Sequence, residues 1–204
     1  NLDSSQFFGS AAFLPDGSTA LLTNWQSAPR LMDAQSGIVM GELSGIDGAS
    51  PVAVSPDSRR AAFGDRDAIY LYDTSTWQQT IRLDTYYTAA DLAFSPDSTM
   101  IARASSDNTV RVWDVNTGSA LYSNPGPSPM TSVAFSDDGQ YLASGSSDGK
   151  IRIYQARSGQ FLRLIDVGAD VYTLAALPGS DLFASGSDDG FIHFWRFSDG
   201  SLVA

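Results

Sequence analysis

The chain has 204 residues but no cysteine, one histidine, one glutamate (Glu42) and one lysine (Lys150). The lack of cysteine excludes disulfide bonds, thiolate metal sites and thiol catalysis. Glutamate and lysine favour helices, whereas the abundant aspartate, glycine and serine favour turns. The composition therefore argues against a helical protein.

The sequence also lacks basic patches and long apolar runs. A formal net charge of −11 excludes the basic surface of nucleic-acid-binding proteins and a polybasic membrane patch. No apolar run approaches the roughly 18 residues of a membrane-spanning helix. We therefore expect no nucleic-acid partner and no direct insertion into a membrane.

What the chain does contain is a repeat of about 41 residues. One marker appears as FLPDG, VSPDS, FSPDS, FSDDG and ALPGS, starting at 13, 54, 94, 135 and 176, in steps of 41, 40, 41 and 41. A second marker, the dipeptides MD, YD, WD, YQ and WR, starts at 32, 72, 113, 154 and 195. The two markers predict one domain over 1–204 made of five repeats, at approximately 11–50, 51–90, 91–131, 132–172 and 173–204.

Each repeat reads as four short strands joined by tight turns. In the fourth repeat the predicted strands are 132–136, 140–145, 150–155 and 160–166. The Asp-Gly turn before the third strand predicts a tight hairpin with positive φ at both central residues. Alternation along the third strands predicts a packed face, formed by Ile69, Leu71, Val110, Val112, Ile151, Ile153, Ile192 and Phe194.

The phrase FSPDG…LASGSxDGxIRxWD resembles the WD-repeat (WD40) β-propeller family, with repeats of bacterial type. The resemblance covers essentially the whole chain and is weakest in the first repeat. It implies an all-β fold, a β-propeller of four-stranded antiparallel blades with five WD40-type repeats.

The chain departs from the family at a Gly-His pair that many members carry before each blade. Thr85 and Gly126 are examples of what stands in that place here. The turn aspartates of the family pattern remain, and we expect them to bond to turn amides and to nearby serines such as Ser105, Ser146 and Ser187. They are Asp67, Asp107, Asp148 and Asp189.

The number of blades stays open at this stage. The last repeat stops at SLVA (201–204), where a fourth strand should begin, so residues 1–10 are expected to help to close the last blade. Five repeats fit either a small five-bladed ring or five blades of a larger propeller.

No constellation for catalysis, cofactor or metal binding is apparent. The lone His193 occupies the same register as Arg111 and Arg152, which indicates a structural role, and no G-x-S-x-G motif is present. The acidic clusters at 65–67, 136–139 and 187–190 lie at repeat turns and do not form a calcium loop. We therefore predict no enzyme activity and no cofactor.

Residues that break the repeat are the better candidates for function. The loops between strands two and three, and between successive repeats, should share one face, which is a common docking surface in the family. Aromatic residues and arginine are typical of interface hot spots. The predicted partner-binding residues are Phe7, Trp25, Arg66, Tyr86, Tyr87, Asp170, Tyr172 and Asp188.

Trp77 is a second candidate, on the opposite face. It stands in a turn where the other repeats have a glycine, namely Gly37, Gly118, Gly159 or Gly200. An exposed Trp77 would mark a second contact site, and packing against its own turn is the alternative.

The function that follows is a non-catalytic scaffold for protein partners, in a larger multi-subunit assembly if several partners bind. The alternative is a small-ligand or carbohydrate-binding propeller, with Trp25, Tyr86 and Tyr87 stacking on a ring. The compartment is open between the cytoplasm and a secreted or cell-envelope location. Because Asn1 is not Met, we expect that a leader or other N-terminal segment was removed.

Overall fold

A computed structural model describes residues 9–24, 26–46, 48–85 and 87–204. Within these ranges the chain forms strands and turns, and no helix is long and apolar enough to span a membrane. Sheet 1 consists of β1 (Ser10–Phe13), β2 (Thr19–Thr23), β3 (Arg30–Asp33) and β4 (Val39–Glu42). Sheet 2 consists of β5 (Val52–Val54), β6 (Arg60–Gly64), β7 (Ala68–Asp73) and β8 (Gln78–Asp84).

Three further sheets follow in chain order. Sheet 3 consists of β9 (Ala89–Phe94), β10 (Met100–Ser105), β11 (Thr109–Asp114) and β12 (Ala120–Pro125). Sheet 4 consists of β13 (Met130–Phe135), β14 (Tyr141–Ser146), β15 (Lys150–Gln155) and β16 (Phe161–Asp166). Sheet 5 consists of β17 (Val171–Ala176), β18 (Leu182–Ser187) and β19 (Ile192–Arg196).

All strand pairs are antiparallel neighbours in sequence, so every sheet is a simple meander. This confirms the prediction of an all-β fold built from β-propeller blades. Sheet 5 has three strands, and Leu202 adds an isolated bridge to Trp195 where the fourth strand begins. The contribution of residues 1–10 to this sheet falls mostly outside the described residues.

The sheets fall into two compact units. The first unit, up to Ala89, packs sheets 1 and 2 around one apolar cluster that contains Leu21, Leu31, Phe63 and Tyr72. The second unit, from Ala90, contains one cluster built on Val112 and Leu142 and another built on Ile153 and Phe183. One sheet cannot cover its own faces, so neighbouring sheets supply most of the burial.

Hydrogen bonds join the first strands of sheets 3, 4 and 5. The Ser132 hydroxyl donates to the Asp91 carboxylate at 2.6 Å and accepts from the Leu174 amide at 3.0 Å. The Val133 amide also donates to Asp91, at 3.0 Å. Partial burial raises the pKa of the Asp91 carboxyl despite the hydrogen bonds from Ser132 and Val133. The three strands are therefore fixed in register by polar contacts as well as by packing.

The predicted packed face is correct except in sheet 5. Six of its eight residues are fully buried, among them Ile69, Val110 and Ile151. Ile192 is 68% exposed, and its placement in the core is wrong. Sheet 5 covers the corresponding face of sheet 4, and within the second unit no further sheet follows to cover the same face of sheet 5.

The hairpin turns also differ from the prediction. In the fourth repeat Gly149 has a φ of 75°, but Asp148 does not have a positive φ. This excludes a tight turn with two left-handed residues and fits a longer loop in which one left-handed glycine follows the turn. Asn108 occupies the same position in sheet 3, with a φ of 66°, since asparagine tolerates this conformation better than most residues.

Sheet 2 explains why one step of the repeat is 40 residues instead of 41. Gly64 pairs with Ile69, so four residues lie between these two partners. In sheet 4 the equivalent residues, Gly145 and Ile151, are separated by five. The missing residue is thus located in the turn at 65–67. This turn lies within the 40-residue step of each marker, from 54 to 94 for the first and from 32 to 72 for the second.

Candidate functional site

Turn carboxylates fix the loops between the second and third strands. In sheet 3, Asp107 accepts hydrogen bonds from the Thr109 amide at 3.0 Å and from its hydroxyl at 2.5 Å. In sheet 4, Asp148 accepts from the Lys150 amide, and in sheet 5, Asp189 accepts from the Phe191 amide and from Ser187. These bonds close each turn on itself and hold its tip in one conformation.

In sheet 2 the residue that caps the turn is Asp65, not the predicted Asp67. Asp65 accepts from the amides of Asp67 and Ala68, both at 2.7 Å, and from the Tyr70 hydroxyl at 2.9 Å. The turn is one residue shorter here, so the first aspartate occupies the capping position. The backbone carbonyl of Asp67 instead accepts from the Thr85 amide at 2.8 Å.

A basic residue four positions after the turn aspartate completes the network in sheets 3, 4 and 5, and the sequence analysis missed it. The pairs are Arg111 with Asp107, Arg152 with Asp148 and His193 with Asp189. The sequence contains a sign of these pairs, because the spacing Asp-x-x-x-Arg/His recurs in three successive repeats.

Sheet 3 adds a second arginine, Arg103, which is fully buried. Its guanidinium lies 2.9 Å from the Asp107 carboxylate and packs 5.9 Å from the ring of Trp113. Burial alone would raise the pKa of Asp107, but the Thr109 hydrogen bonds and the Arg103 charge hold it below its ordinary value. The pair is a fixed structural element beneath the loop.

His193 takes part in the same type of contact. Its Nε2 lies 2.8 Å from the Asp189 carboxylate. This hydrogen bond, with those from Phe191 and Ser187, lowers the pKa of the Asp189 carboxyl to about 2. The His193 ring thus occupies the position that Arg152 occupies in sheet 4, as the repeat register predicted. Its hydrogen bond is to the turn aspartate and not to a serine or threonine nucleophile.

Three of the predicted partner-binding residues come together in the second unit. Tyr172 is 56% exposed at the start of β17, and Asp170 and Asp188 are exposed beside it. The Asp188 amide donates to the Asp170 carbonyl at 2.9 Å, which joins the two loops. A hydrogen bond to Asp188 and the charges of both carboxylates raise the pKa of the Tyr172 phenol. We name Asp170, Tyr172 and Asp188 the acidic tyrosine patch.

Two further predicted residues lie on adjoining loops of the first unit. Arg66 is exposed at the tip of the turn between β6 and β7, and Tyr87 is 55% exposed. The Thr85–Asp67 backbone bond holds the loop before β9 against this turn. Phe7, Trp25 and Tyr86 lie outside the described residues. Of the three aromatics of the carbohydrate-binding alternative, Tyr87 alone belongs to the described part.

Trp77 has a left-handed backbone, with a φ of 53°. Its amide donates to the Asp73 carbonyl at 2.7 Å, as the Gly159 amide does to Gln155 at 2.9 Å in sheet 4. The side chain is half-buried and packs on the cluster of the first unit. It also lines a groove of about 370 Å³ together with residues of β4 and β8. Trp77 therefore packs and remains accessible at the same time.

The described residues contain no group of three or more His, Asp or Glu side chains that could hold a metal ion. Two further open grooves lie at 136–138 with 179–181, and at 139–141 with 155, 157, 160 and 162. The candidate binding residues are thus mainly exposed aromatic and acidic side chains on or beside hydrogen-bonded turns.

Comparison with known families decides the classification. The family model for the WD domain, G-beta repeat, matches residues 85–114, 118–155 and 162–196, which is just over half of the chain. The chain belongs to the WD40 repeat family. The three matches cover the third, fourth and fifth sheets of this WD40 protein, where the sequence motifs are strongest.

Curated relatives agree with this classification. A segment of the chain is 36% identical over 80 residues to WD repeat-containing protein 1 of Mus musculus, and to that of Rattus norvegicus. The match covers 36% of this chain and 13% of each relative. The WD40 chain thus spans only a small part of the length of these relatives. WD40 repeats generally serve as protein-interaction scaffolds, which is the coarse function that this classification supports.

Proposed function

We propose that this WD40 protein is a non-catalytic scaffold that binds partner proteins through the loops at the ends of its sheets. The observation that carries the proposal is the acidic tyrosine patch. Tyr172 is a large aromatic residue that is more than half exposed, at the start of β17 and beside loops fixed by backbone and turn hydrogen bonds. Such side chains supply much of the binding energy at protein interfaces.

The charge of the patch defines the partner. Asp170 and Asp188 place two carboxylates beside the phenol, and the whole chain carries a net charge of −11. Complementary charge speeds encounter and selects against partners of like charge. We therefore propose that the partner segment is basic, and that Arg66 and Tyr87, with Phe7, Trp25 and Tyr86, contribute further contacts.

The absence of catalysis belongs to this proposal. His193 is held by Asp189 in the same way that Arg152 is held by Asp148, so we assign it the structural role of the repeat position. The proposed partners include several subunits of one assembly, because separate loops carry the candidate residues.

The test is quantitative co-purification from cells that produce the native protein, with matched variants. Tyr172→Ala should reduce recovery of specific partners at least tenfold, as expected for a hot-spot residue. Phe161→Ala is the control, because Phe161 is 54% exposed, which nearly equals Tyr172, but lies on the outer strand β16. Equal recovery with both variants, each shown to be folded by circular dichroism, would contradict the proposal.

A further inference from the structure

The junction between sheets 1 and 2 departs from the junctions between sheets 3 and 4 and between sheets 4 and 5. In these three junctions, each within one unit, the fourth strand of one sheet lies against the turn that precedes the fourth strand of the next. Strand register identifies Gly41, Tyr122 and Arg163 as equivalent residues, since they pair with Leu31, Val112 and Ile153. The opposing turn residues are Trp77, Gly159 and Gly200.

In the second unit a side chain from the fourth strand fills the junction. Between sheets 3 and 4, the Tyr122 hydroxyl donates to the Ala156 carbonyl at 2.6 Å. Its ring lies so close to Gly159 that an added Cβ would be 2.5 Å away. Glycine is therefore required in that turn by both space and backbone conformation.

Between sheets 4 and 5, an arginine plays the same part. The Arg163 guanidinium donates to the Phe197 carbonyl at 2.5 Å and lies 6.0 Å from the ring of Tyr141. Its aliphatic stem approaches Gly200, where an added Cβ would be 3.1 Å from Cδ. The protein thus provides an internal example of a guanidinium seated in this type of junction.

Between sheets 1 and 2 the large and small residues are exchanged. Gly41 has no side chain, and nothing lies within 4 Å of the position that an added Cβ would occupy. Trp77 replaces the glycine of the turn, and its indole forms one wall without filling the junction. A groove of about 370 Å³ remains, and its lining includes Gly41, Glu42, Tyr72, Trp77, Gln78 and Gln79.

The groove lining suits a cationic, planar group. The half-buried Trp77 provides an aromatic surface, on which guanidinium groups stack well, and the buried Tyr72 also lines the groove. The Glu42 carboxylate contacts Arg30 at 2.9 Å, yet 53% of its side chain remains exposed at the groove. Gln78 and Gln79 are exposed and add amide oxygens that can accept hydrogen bonds.

We propose that the groove between β4 and the Trp77 turn binds an arginine side chain of a partner protein, in the way that Arg163 fills the junction between sheets 4 and 5. The volume, at the lower end for ligand sites, matches one side chain better than a large ligand. The site lies at the opposite end of β7 from the loop that carries Arg66. It is therefore separate from the proposed loop contacts and does not depend on them.

The experiment is an NMR titration of the ¹⁵N-labelled protein with the tripeptide acetyl-Gly-Arg-Gly-amide. We expect saturable shifts of the Trp77 indole signal and of the Gly41 and Gln78 amides, with a Kd on the order of 1 mM. The matched lysine tripeptide should bind about tenfold more weakly, because an ammonium group cannot stack or form a fork of hydrogen bonds. Absent shifts, or equal binding of the lysine or tyrosine tripeptide, would overturn the proposal.

Two variants localise the site. Gly41→Ala leaves the groove open and should bind the arginine tripeptide as the wild type does, whereas Gly41→Arg should abolish binding by supplying the side chain from within. Dispersed amide signals from the core of the first unit, such as those of Leu21 and Phe63, report whether the variant is folded. Should Gly41→Arg not fold, Trp77→Gly, which restores the residue of the other repeats, must weaken binding at least tenfold. Unchanged binding in folded Gly41→Arg or in folded Trp77→Gly would contradict the assignment. Wild-type loop binding in Gly41→Arg would separate this site from the proposed scaffold function.

Discussion

The junctions between sheets 1 and 2 and between sheets 3 and 4 use opposite arrangements of the same pair of positions. In the second unit Tyr122 projects from the fourth strand over Gly159. In the first unit Gly41 lies on the strand and Trp77 in the turn, with a φ of 53°. The repeat thus fixes the backbone, but it does not fix whether the strand or the turn supplies the large side chain. Where the large side chain belongs to the turn, as Trp77 does, the junction stays open.

The strongest way to break the comparison is to place the first junction's residue in the second. Gly159→Trp should destabilise the second unit by about 3 kcal/mol, because it combines overpacking against Tyr122 with a left-handed backbone. Chemical denaturation followed by the fluorescence of the tryptophans measures the change in the free energy of unfolding.

The double variant Gly159→Trp with Tyr122→Gly tests whether the exchange is reciprocal. Removing the tyrosine alone should destabilise the protein by about 3 kcal/mol. The double variant should be about 2 kcal/mol more stable than the sum of the two single changes predicts, because the tryptophan occupies the space that the tyrosine leaves. Strict additivity of the two changes in the free energy of unfolding would show that the two side chains do not compete for the same space.

The reverse substitution in the first unit should have a smaller effect. Trp77→Gly relieves a left-handed residue, which is worth about 1 kcal/mol, but loses packing of a half-buried indole worth about 2 kcal/mol. The net loss should be about 1 kcal/mol, measured by denaturation as above. A gain in stability would mean that the indole contributes little packing to the first unit.

Alanine at the two glycines sharpens the comparison further. Gly41→Ala should stabilise the protein by about 0.5 kcal/mol, since its φ is not positive, its Cβ meets nothing, and the unfolded chain loses freedom. Gly159→Ala should be clearly destabilising, since its Cβ would collide with the Tyr122 ring. The melting temperatures of the two variants should therefore move in opposite directions, and a shift of equal sign would refute the assigned difference.

The smallest predicted effect concerns the turns. Asp65 of the first unit contacts the neutral Tyr70, whereas Asp189 contacts His193. A carboxyl whose pKa is lowered to about 2 contributes stability above its ordinary pKa of 3.8, and this is lost as the pH falls through 2. In His193→Gln the pKa of Asp189 should rise towards the ordinary value. An NMR titration of its carboxyl carbon measures this, and an unchanged pKa would contradict the role of His193.

Much of the fold could be predicted from the sequence, because period and alternation are properties of the chain itself. The repeat markers, the five sheets and the burial of residues such as Ile69 and Ile151 follow directly from them. The turn type at Gly149 did not, because Asp-Gly is compatible with more than one hairpin loop. The exposure of Ile192 depends on which sheet covers β19, which alternation cannot reveal.

The candidate sites were predictable only in part. Trp77 stood out because it breaks a glycine register, but the groove also needs Gly41, whose equivalence to Tyr122 becomes evident from strand pairing. The buried Arg103 was missed, since an arginine within a strand gives no local sign of burial. The capping role of Asp65 depends on a turn that is one residue shorter. In each case a contact distant in sequence decides the outcome.

The central functional claim is that binding occurs where the WD40 repeat is broken, above all at Tyr172. Site-specific photocrosslinking tests it most directly, with the photoreactive residue benzoylphenylalanine placed at position 172 or, as the control, at the equally exposed position 161. We expect discrete adducts with partner proteins in cells from position 172 and few or none from position 161. Equal adducts from both positions, or none from position 172, would contradict it.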